Sequence, residues 1–228
     1  LNLFDLLYRI DVGSTGSIGA DGQAGVIFIN NQYWVSAWAS DLIHILDAQG
    51  GFVETITIAG VTGTRSMSTD GTDLFIGAAG AEIYRVDPVT RLLQGTIPIL
   101  PGGGSDASAR MVTYDETLDG GNGGFWIGNF GSDIASISMF GVTLSVIPSA
   151  VHGTAIYGGA IDNISPGGPF LWIHNQGASQ DLITQLDPAT GVPTGVEYDY
   201  ADDMLPGVTG IAGGLFISDE VSPTAVAL

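Results

Sequence analysis

The chain of 228 residues contains no cysteine, no lysine and no hydrophobic run that approaches the roughly 18 residues of a membrane span. The absence of cysteine excludes thiolate catalysis, cysteine-type zinc sites and disulfides. The absence of lysine excludes Schiff-base chemistry and a P-loop. The first twelve residues lack the basic start and the cleavage site of a signal peptide, so we expect a mature protein or a domain cut from a larger one.

Positive charge is scarce, because five arginines stand against 24 acidic residues and the net charge is −19. We therefore expect no nucleic-acid partner, since phosphate neutralisation needs clustered Lys and Arg. Binding to an anionic membrane surface is disfavoured in the same way, and we expect no membrane insertion. The acidity, the 35 glycines and the many Ser, Thr and Asn residues favour an extracellular or cell-surface protein of a bacterium.

A short phrase recurs five times, with an aromatic residue, a β-branched residue and then small or polar residues. Its copies are separated by about 40–50 residues, the repeat length of a propeller blade. They are Trp34-Val35-Ser36, Phe75-Ile76-Gly77, Trp126-Ile127-Gly128, Trp172-Ile173-His174 and Phe216-Ile217-Ser218.

Each repeat is typical of four short antiparallel strands, because its apolar segments are bounded by Gly, Asp and Pro turns. The sequence therefore predicts an all-β fold, a single five-bladed β-propeller over residues 1–228. An N-terminal strand would join the C-terminal blade, close the ring and cover the exposed sheet edges. The expected blades are 24–58, 65–99, 110–147, 155–200, and 208–228 together with 3–12.

One turn carries a resemblance to a known family. Asp187-Pro188-Ala189-Thr190-Gly191 follows an apolar strand, and weaker copies are Asp87-Pro88-Val89-Thr90 and Asp47-Ala48-Gln49-Gly50. The phrase resembles the turn of quinoprotein-like and YVTN-type β-propeller repeats. This resemblance implies the propeller fold but no single activity, because such propellers serve as binding scaffolds, lactonases and cofactor-dependent dehydrogenases.

An acidic residue recurs just before the third strand of four repeats. Such a ring of carboxylates would suit cations, but each acid could equally cap its own hairpin by bonding the backbone. Recurrence in every blade favours the cap, since a specific site usually breaks a repeat. The four residues are Asp41, Glu82, Asp133 and Asp181.

Residues that differ between repeats are better candidates for ligand contacts. Arg65 and Arg110 each open an inner strand, and Tyr157 takes that place in the next repeat. The two arginines would either grip a carboxylate at the mouth of the channel or bridge blades by pairing with nearby acids. The candidate ligand-binding residues are Trp38, Arg65, Arg110, Asn129, Phe130, His174, Asn175, Asp219 and Glu220.

Within that set, Trp38 and Phe130 could stack on sugar faces while Asn129, Asn175 and Asp219 bond hydroxyls. Packing between adjacent blades is the alternative role for each aromatic residue. His152 and His174 could reach the same loop face, but no HxH or HExxH spacing supports a metal site. We predict no cofactor. Two oxygen-rich glycine loops could bind calcium, but neither fits the EF-hand pattern and both are first of all typical of ordinary glycine turns.

The sequence favours a non-catalytic binding module, a monomeric domain that takes a protein or carbohydrate ligand through its loop face. No catalytic residue is assigned. One alternative is a propeller hydrolase, either a glycoside hydrolase or a metal-dependent lactonase, and the other is a structural spacer in an adhesin-like protein. A glycoside hydrolase would need two converging carboxylates. The candidates for that pair are Asp106, Asp202, Asp203, Asp219 and Glu220.

Overall fold

A computed structural model describes residues 3–13, 18, 22–38, 40–78, 80–100, 109–177, 182–204, 213–222 and 225–228. In this part of the chain, 16 strands form four separate sheets, each of four antiparallel strands in sequential order. None of its helices has the length and apolar character needed to cross a membrane.

Each sheet is a meander of neighbouring strands. The first sheet comprises β1 (Gln23–Ile29), β2 (Gln32–Ala37), β3 (Ile43–Asp47) and β4 (Phe52–Ile56). The second comprises β5 (Ser66–Thr69), β6 (Leu74–Gly77), β7 (Glu82–Asp87) and β8 (Leu92–Pro98). The third comprises β9 (Met111–Asp115), β10 (Gly124–Gly128), β11 (Ile134–Ser138) and β12 (Thr143–Ile147). The fourth comprises β13 (Ile156–Asp162), β14 (Phe170–Asn175), β15 (Leu182–Leu186) and β16 (Pro193–Asp199).

The second strand of each sheet carries the recurrent aromatic phrase. These strands are apolar along most of their length because neighbouring sheets cover both of their faces. Their aromatic residues, Trp34, Phe75, Trp126 and Trp172, are all buried. The turn after the third strand is fixed by an aspartate in the first, second and fourth sheets. In the second sheet, Asp87 Oδ1 accepts the N–H groups of Val89 and Thr90 at 2.8 and 3.1 Å. This Asx turn explains why the Asp-Pro-x-Thr phrase recurs.

The first strands of the sheets pack against one another around the axis, in the order β1, β5, β9 and β13. Side-chain oxygens join these strands across the sheet boundaries. Ser68 Oγ accepts the N–H of Tyr114 at 2.7 Å, and Thr113 Oγ1 accepts the N–H of Ile161 at 3.1 Å. A small cavity of about 70 Å³ lies among residues of β1, β5, β9, β13 and the segment 215–217. The inner strands are therefore joined across the sheet boundaries by hydrogen bonds as well as by packing.

The protein is a four-bladed propeller of four-stranded sheets, and the prediction of five blades is wrong. The expected fifth blade contributes no sheet among the described residues. Its last two segments meet in a single bridge between Ser218 and Ala227, and residues 3–12 form no strand. Its expected strand at 209–212 lies outside the described residues.

The fifth aromatic phrase has a different cause from the other four. Residues 213–217 run as an extended segment beside β1, where the Gly214 N–H donates to the Ala24 carbonyl. Phe216 then packs on the hydrophobic cluster of the first sheet, against Phe28 and Tyr33. The phrase therefore indicates that an aromatic side chain packs on a hydrophobic cluster. For Phe216 this packing occurs without a four-stranded sheet of its own.

Close packing between the end of β6 and the start of the neighbouring inner strand β9 predicts that a methyl group at Gly77 destabilises the fold. A Cβ there would lie 2.2 Å from the Ala109 carbonyl oxygen and 2.6 Å from Val112 Cγ2. Gly77→Ala should lower the free energy of unfolding by about 1–3 kcal/mol, as overpacking does, in a urea titration. Gly131→Ala is the control, since no atom lies within 4 Å of its Cβ position. Equal stability of both variants would contradict this packing.

Candidate functional site

Two arginines lie side by side at the start of neighbouring inner strands. Arg65 directly precedes β5, and its N–H donates to the Gly77 carbonyl at 2.8 Å. Arg110 directly precedes β9. The two strand starts are in contact, since Ser66 Oγ donates to the Ala109 carbonyl at 3.3 Å. The shared register that the repeat predicts for the two arginines therefore brings them to one end of the propeller axis.

Aromatic rings cover both guanidinium groups. The Cζ atom of Arg65 lies 4.8 Å from the ring centroid of Trp38. The Cζ atom of Arg110 lies 4.1 Å from the Phe130 ring and 5.7 Å from the Tyr157 ring. Each distance is within the range of cation–π attraction. We call these five residues the arginine site.

Several donors of the arginine site have no hydrogen-bond partner. Arg65 Nε and Nη1 and Arg110 Nε are all buried and unpaired. Two other arginines are paired with acids, since Arg85 bonds Asp73 and Arg91 bonds Glu54, each at 2.5 Å. Within the described ranges neither arginine of the site forms such an ion pair. This favours the role in which the two arginines bind a carboxylate over the role in which they join blades by pairing with nearby acids.

The electrostatics of the site follow from this geometry. Burial, and next the positive charge of Arg65, lower the pKa of Arg110, while the Tyr157 hydroxyl opposes this in part. Both causes penalise the charged form, and an anion between the two groups would relieve both. The site therefore holds positive charge that the protein itself leaves uncompensated among the described residues.

Phe130 adopts a strained backbone conformation to reach Arg110. Its φ is +45°, a left-handed value that is rare for a bulky side chain. The surrounding backbone holds it there, because Phe130 and Ile156 exchange two hydrogen bonds of 2.8 and 2.9 Å. Strain of this kind is concentrated at functional sites in proteins.

Asn129 is a polar residue that directly precedes Phe130 in the chain. Its backbone N–H donates to Ser132 Oγ at 3.0 Å, which fixes the loop. Its side-chain Oδ1 is buried and has no hydrogen-bond partner. Asn129 is therefore the third predicted residue, after Arg65 and Arg110, with a buried polar atom that has no hydrogen-bond partner.

The remaining sequence candidates do not join this cluster. His174 is buried in β14, where Nδ1 lies 2.9 Å from Gly213 O and Nε2 contacts the Tyr200 hydroxyl. Asn175 Oδ1 accepts the N–H groups of Ala155 and Gly177, a structural role. Asp219 and Glu220 are exposed in the segment after 217, and no contact of the described residues connects them to the arginines.

Tyr157 completes the site although it is absent from the predicted ligand-binding set. The register did point to it, because Tyr157 stands where the preceding two repeats have arginine. Its ring is buried and contacts both Arg110 and Phe130, the latter at a centroid distance of 6.1 Å. The repeat therefore contained the signal for this residue.

The recurrent acids support the loops around the site. Asp41 Oδ1 accepts the Gly63 N–H at 2.8 Å, and Asp133 Oδ1 accepts the Ser149 N–H at 2.7 Å. Both bonds reach the loop after the outermost strand of the same sheet, rather than the acid's own hairpin. Glu82 begins β7, and Asp181 lies outside the described residues.

A metal centre finds no support in the described ranges, where no three His, Asp or Glu side chains come together to hold an ion. His152 is buried and bonds Thr154 and the Ser132 carbonyl. Of the acids considered for hydrolysis, Asp202 and Asp203 lie in a short helical turn and Asp106 lies outside the described residues. Calcium binding remains an untested prediction.

A larger cavity of about 740 Å³ lies away from the arginine site. It is bounded by the fourth sheet, the first sheet and the segments 3–12, 216–221 and 225–228, and its lining is mostly apolar. Phe4 stacks on Tyr198 there at a centroid distance of 4.6 Å. The cavity occupies the position at which the sequence predicts a fifth blade.

No family model matches the chain, and no curated protein matches it either. Among solved structures, a glutaminyl cyclase from Myxococcus xanthus is similar, with a TM-score of 0.63 and 12% identity over 93% of this chain and 84% of that one. A virginiamycin B lyase from Staphylococcus aureus has a TM-score of 0.49 and 12% identity, over 87% of this chain and 61% of that one.

The similarity to the glutaminyl cyclase shows a shared fold, and an identity this low carries nothing about activity. The neighbours are propeller proteins, as the turn resemblance implies, but they identify no specific family. The glutaminyl cyclase is an enzyme, so the expectation of a non-catalytic module gains no support from this comparison.

Burial of His174 predicts an acid-sensitive contribution to stability. Burial lowers the pKa of His174 to about 4, against a weaker opposing effect of the Gly213 carbonyl. The unfolded chain binds this proton near pH 6.5, so stability is complete above that pH and falls as the pH decreases towards 4. In urea titrations, the free energy of unfolding of the wild type minus that of His174→Gln should decrease by about 3 kcal/mol between pH 7 and pH 4. A difference in the free energy of unfolding that is the same at both pH values would contradict the burial of a neutral imidazole.

Proposed function

We propose that the protein binds a carboxylate-bearing ligand at the arginine site on its loop face. Arg65 and Arg110 would hold the carboxylate, while Trp38, Phe130 and Tyr157 orient the guanidinium groups and shield them from water. The observation that carries this proposal is the set of buried, unpaired N–H donors on Arg65 and Arg110 in a chain with 24 acidic residues.

The cost of leaving these donors unpaired supports a ligand. A buried donor without a partner costs about 1–3 kcal/mol, and a charged one more. An Arg–carboxylate pair is often bidentate, so one carboxylate can satisfy two donors of one guanidinium group. The site is thus better suited to an anion than to solvent alone.

The charge of the whole protein limits which anions can bind. A net charge of −19 repels polyanions at a distance, and this repulsion is screened only beyond about 10 Å at 0.1 M salt. Within the site, the two guanidinium groups act over a few ångströms and attract a single carboxylate. We therefore expect ligands with one or two negative charges, in the extracellular or cell-surface setting that the composition favours.

Calorimetric titration with small carboxylates tests the proposal. Acetate, benzoate and lactate are the probes, and their neutral amides are the matched comparison. We expect the acids to bind and the amides not to bind. Arg65→Gln and Arg110→Gln should each weaken acid binding by about tenfold or more, because each removes charged hydrogen bonds.

Arg91→Gln is the control for these variants. It also removes one arginine, but from an ion pair that joins the turn before β8 to Glu54 in β4. It should leave the affinity for the acids unchanged. Equal losses in all three variants would point to net charge rather than to the site, and equal binding of acids and amides would refute the proposal.

A further inference from the structure

Two features in or beside the arginine site are not needed to hold a carboxylate. The first is the exposure of its aromatic rings, since Trp38 is 48% and Phe130 39% exposed although each ring has an arginine against it. The second is the unpaired, buried Oδ1 of Asn129, which immediately precedes Phe130. Both features indicate which groups a ligand would have besides its carboxylate.

We propose that the ligand is a sugar that carries a carboxylate, a uronic or sialic acid in chemical class. This inference rests on the proposed function, because it assumes that Arg65 and Arg110 hold the carboxylate. It adds the ring of the sugar, which would lie on the open surface of Trp38 or Phe130, and a hydroxyl that donates to Asn129 Oδ1.

The aromatic residues match a sugar ring because they offer flat, rigid and partly exposed apolar surface beside polar groups. Large aromatic side chains provide much contact area at little cost in side-chain entropy. The axial C–H groups of a pyranose form a flat apolar face of similar size. The strained φ of Phe130 indicates that the position of this ring is held by the fold rather than by chance packing.

The Asn129 side chain matches a hydroxyl group. Its Oδ1 can only accept a hydrogen bond, and a buried acceptor without a donor is costly. A sugar acid has hydroxyl donors within a few ångströms of its carboxylate, on the same ring. A simple carboxylate such as acetate has none and would leave Asn129 unpaired.

A carboxylate at the end of a peptide is the competing ligand. Peptide termini are commonly captured by backbone N–H groups and a pocket for the last side chain. The unpaired donors here belong to side chains, and the adjacent aromatic surfaces are exposed rather than enclosed. These observations favour the sugar acid, and the peptide is tested in the same experiment.

The experiment is a calorimetric titration of the full chain with matched pairs of sugars. The acids are the methyl glycosides of glucuronic, galacturonic and sialic acid, and each is compared with its neutral methyl ester. Acetate and glycylglycine represent a carboxylate without a sugar. We expect at least one sugar acid to bind about tenfold more tightly than its ester and than acetate, since it gains both kinds of contact.

Asn129→Ala provides a second, independent measurement. It should weaken binding of that sugar acid by roughly two- to tenfold, the effect of one neutral hydrogen bond, and leave acetate binding unchanged. Thermal unfolding of the variant serves to show that it is folded. Arg91→Gln should change neither affinity.

The outcomes separate this inference from the proposed function. If acetate or glycylglycine binds as tightly as every sugar acid, the sugar is wrong and the carboxylate site stands. The sugar is also wrong if Asn129→Ala weakens acetate and sugar acid equally. If none of the acids binds, both proposals fail.

Discussion

Close backbone contact near the axis, between each sheet and the segment packed beside it, is the constraint on which the rest of the structure depends. Glycines permit this contact because a Cβ in their place would overlap main-chain atoms. At Gly77 it would lie 2.2 Å from the Ala109 carbonyl oxygen, and at Gly158 it would lie 2.3 Å from the Gly213 carbonyl oxygen. The strands therefore converge on a narrow axis, and the residues that begin them become close neighbours.

The arginine site is a direct consequence of that convergence. Two guanidinium groups placed at adjacent strand starts repel each other and lose solvation, and both effects disfavour their charge. The protein offsets part of this cost with the Trp38, Phe130 and Tyr157 rings rather than with acids in the described ranges. Because the acids of neighbouring loops are engaged with backbone N–H groups, as Asp41 is with Gly63, the positive charge stays available to a ligand.

The sequence predicted those features that repeat and failed where the repeat ends. The shared register of Arg65 and Arg110 follows from the period and places them together correctly. The stacking of Trp38 on Arg65 was beyond sequence reasoning, because it joins loops of two sheets whose relative position only the fold determines. Five blades were predicted from Phe216-Ile217-Ser218, yet that phrase encodes only burial against the first sheet. A hydrophobic period records which side chains are covered and leaves open what covers them.

The nitrogen resonances of the arginine side chains test the central claim most directly. The chain has five arginines, so a ¹⁵N-arginine-labelled sample should give five Nε–H signals, of which Arg65→Gln and Arg110→Gln identify two. Titration with acetate should shift these two signals and leave those of Arg85 and Arg91, which are paired with acids, in place. The account predicts larger shifts for Arg65 and Arg110 than for Arg85 and Arg91. If the signals of Arg65 and Arg110 move no more than those of Arg85 and Arg91, there is no anion site at the start of the inner strands.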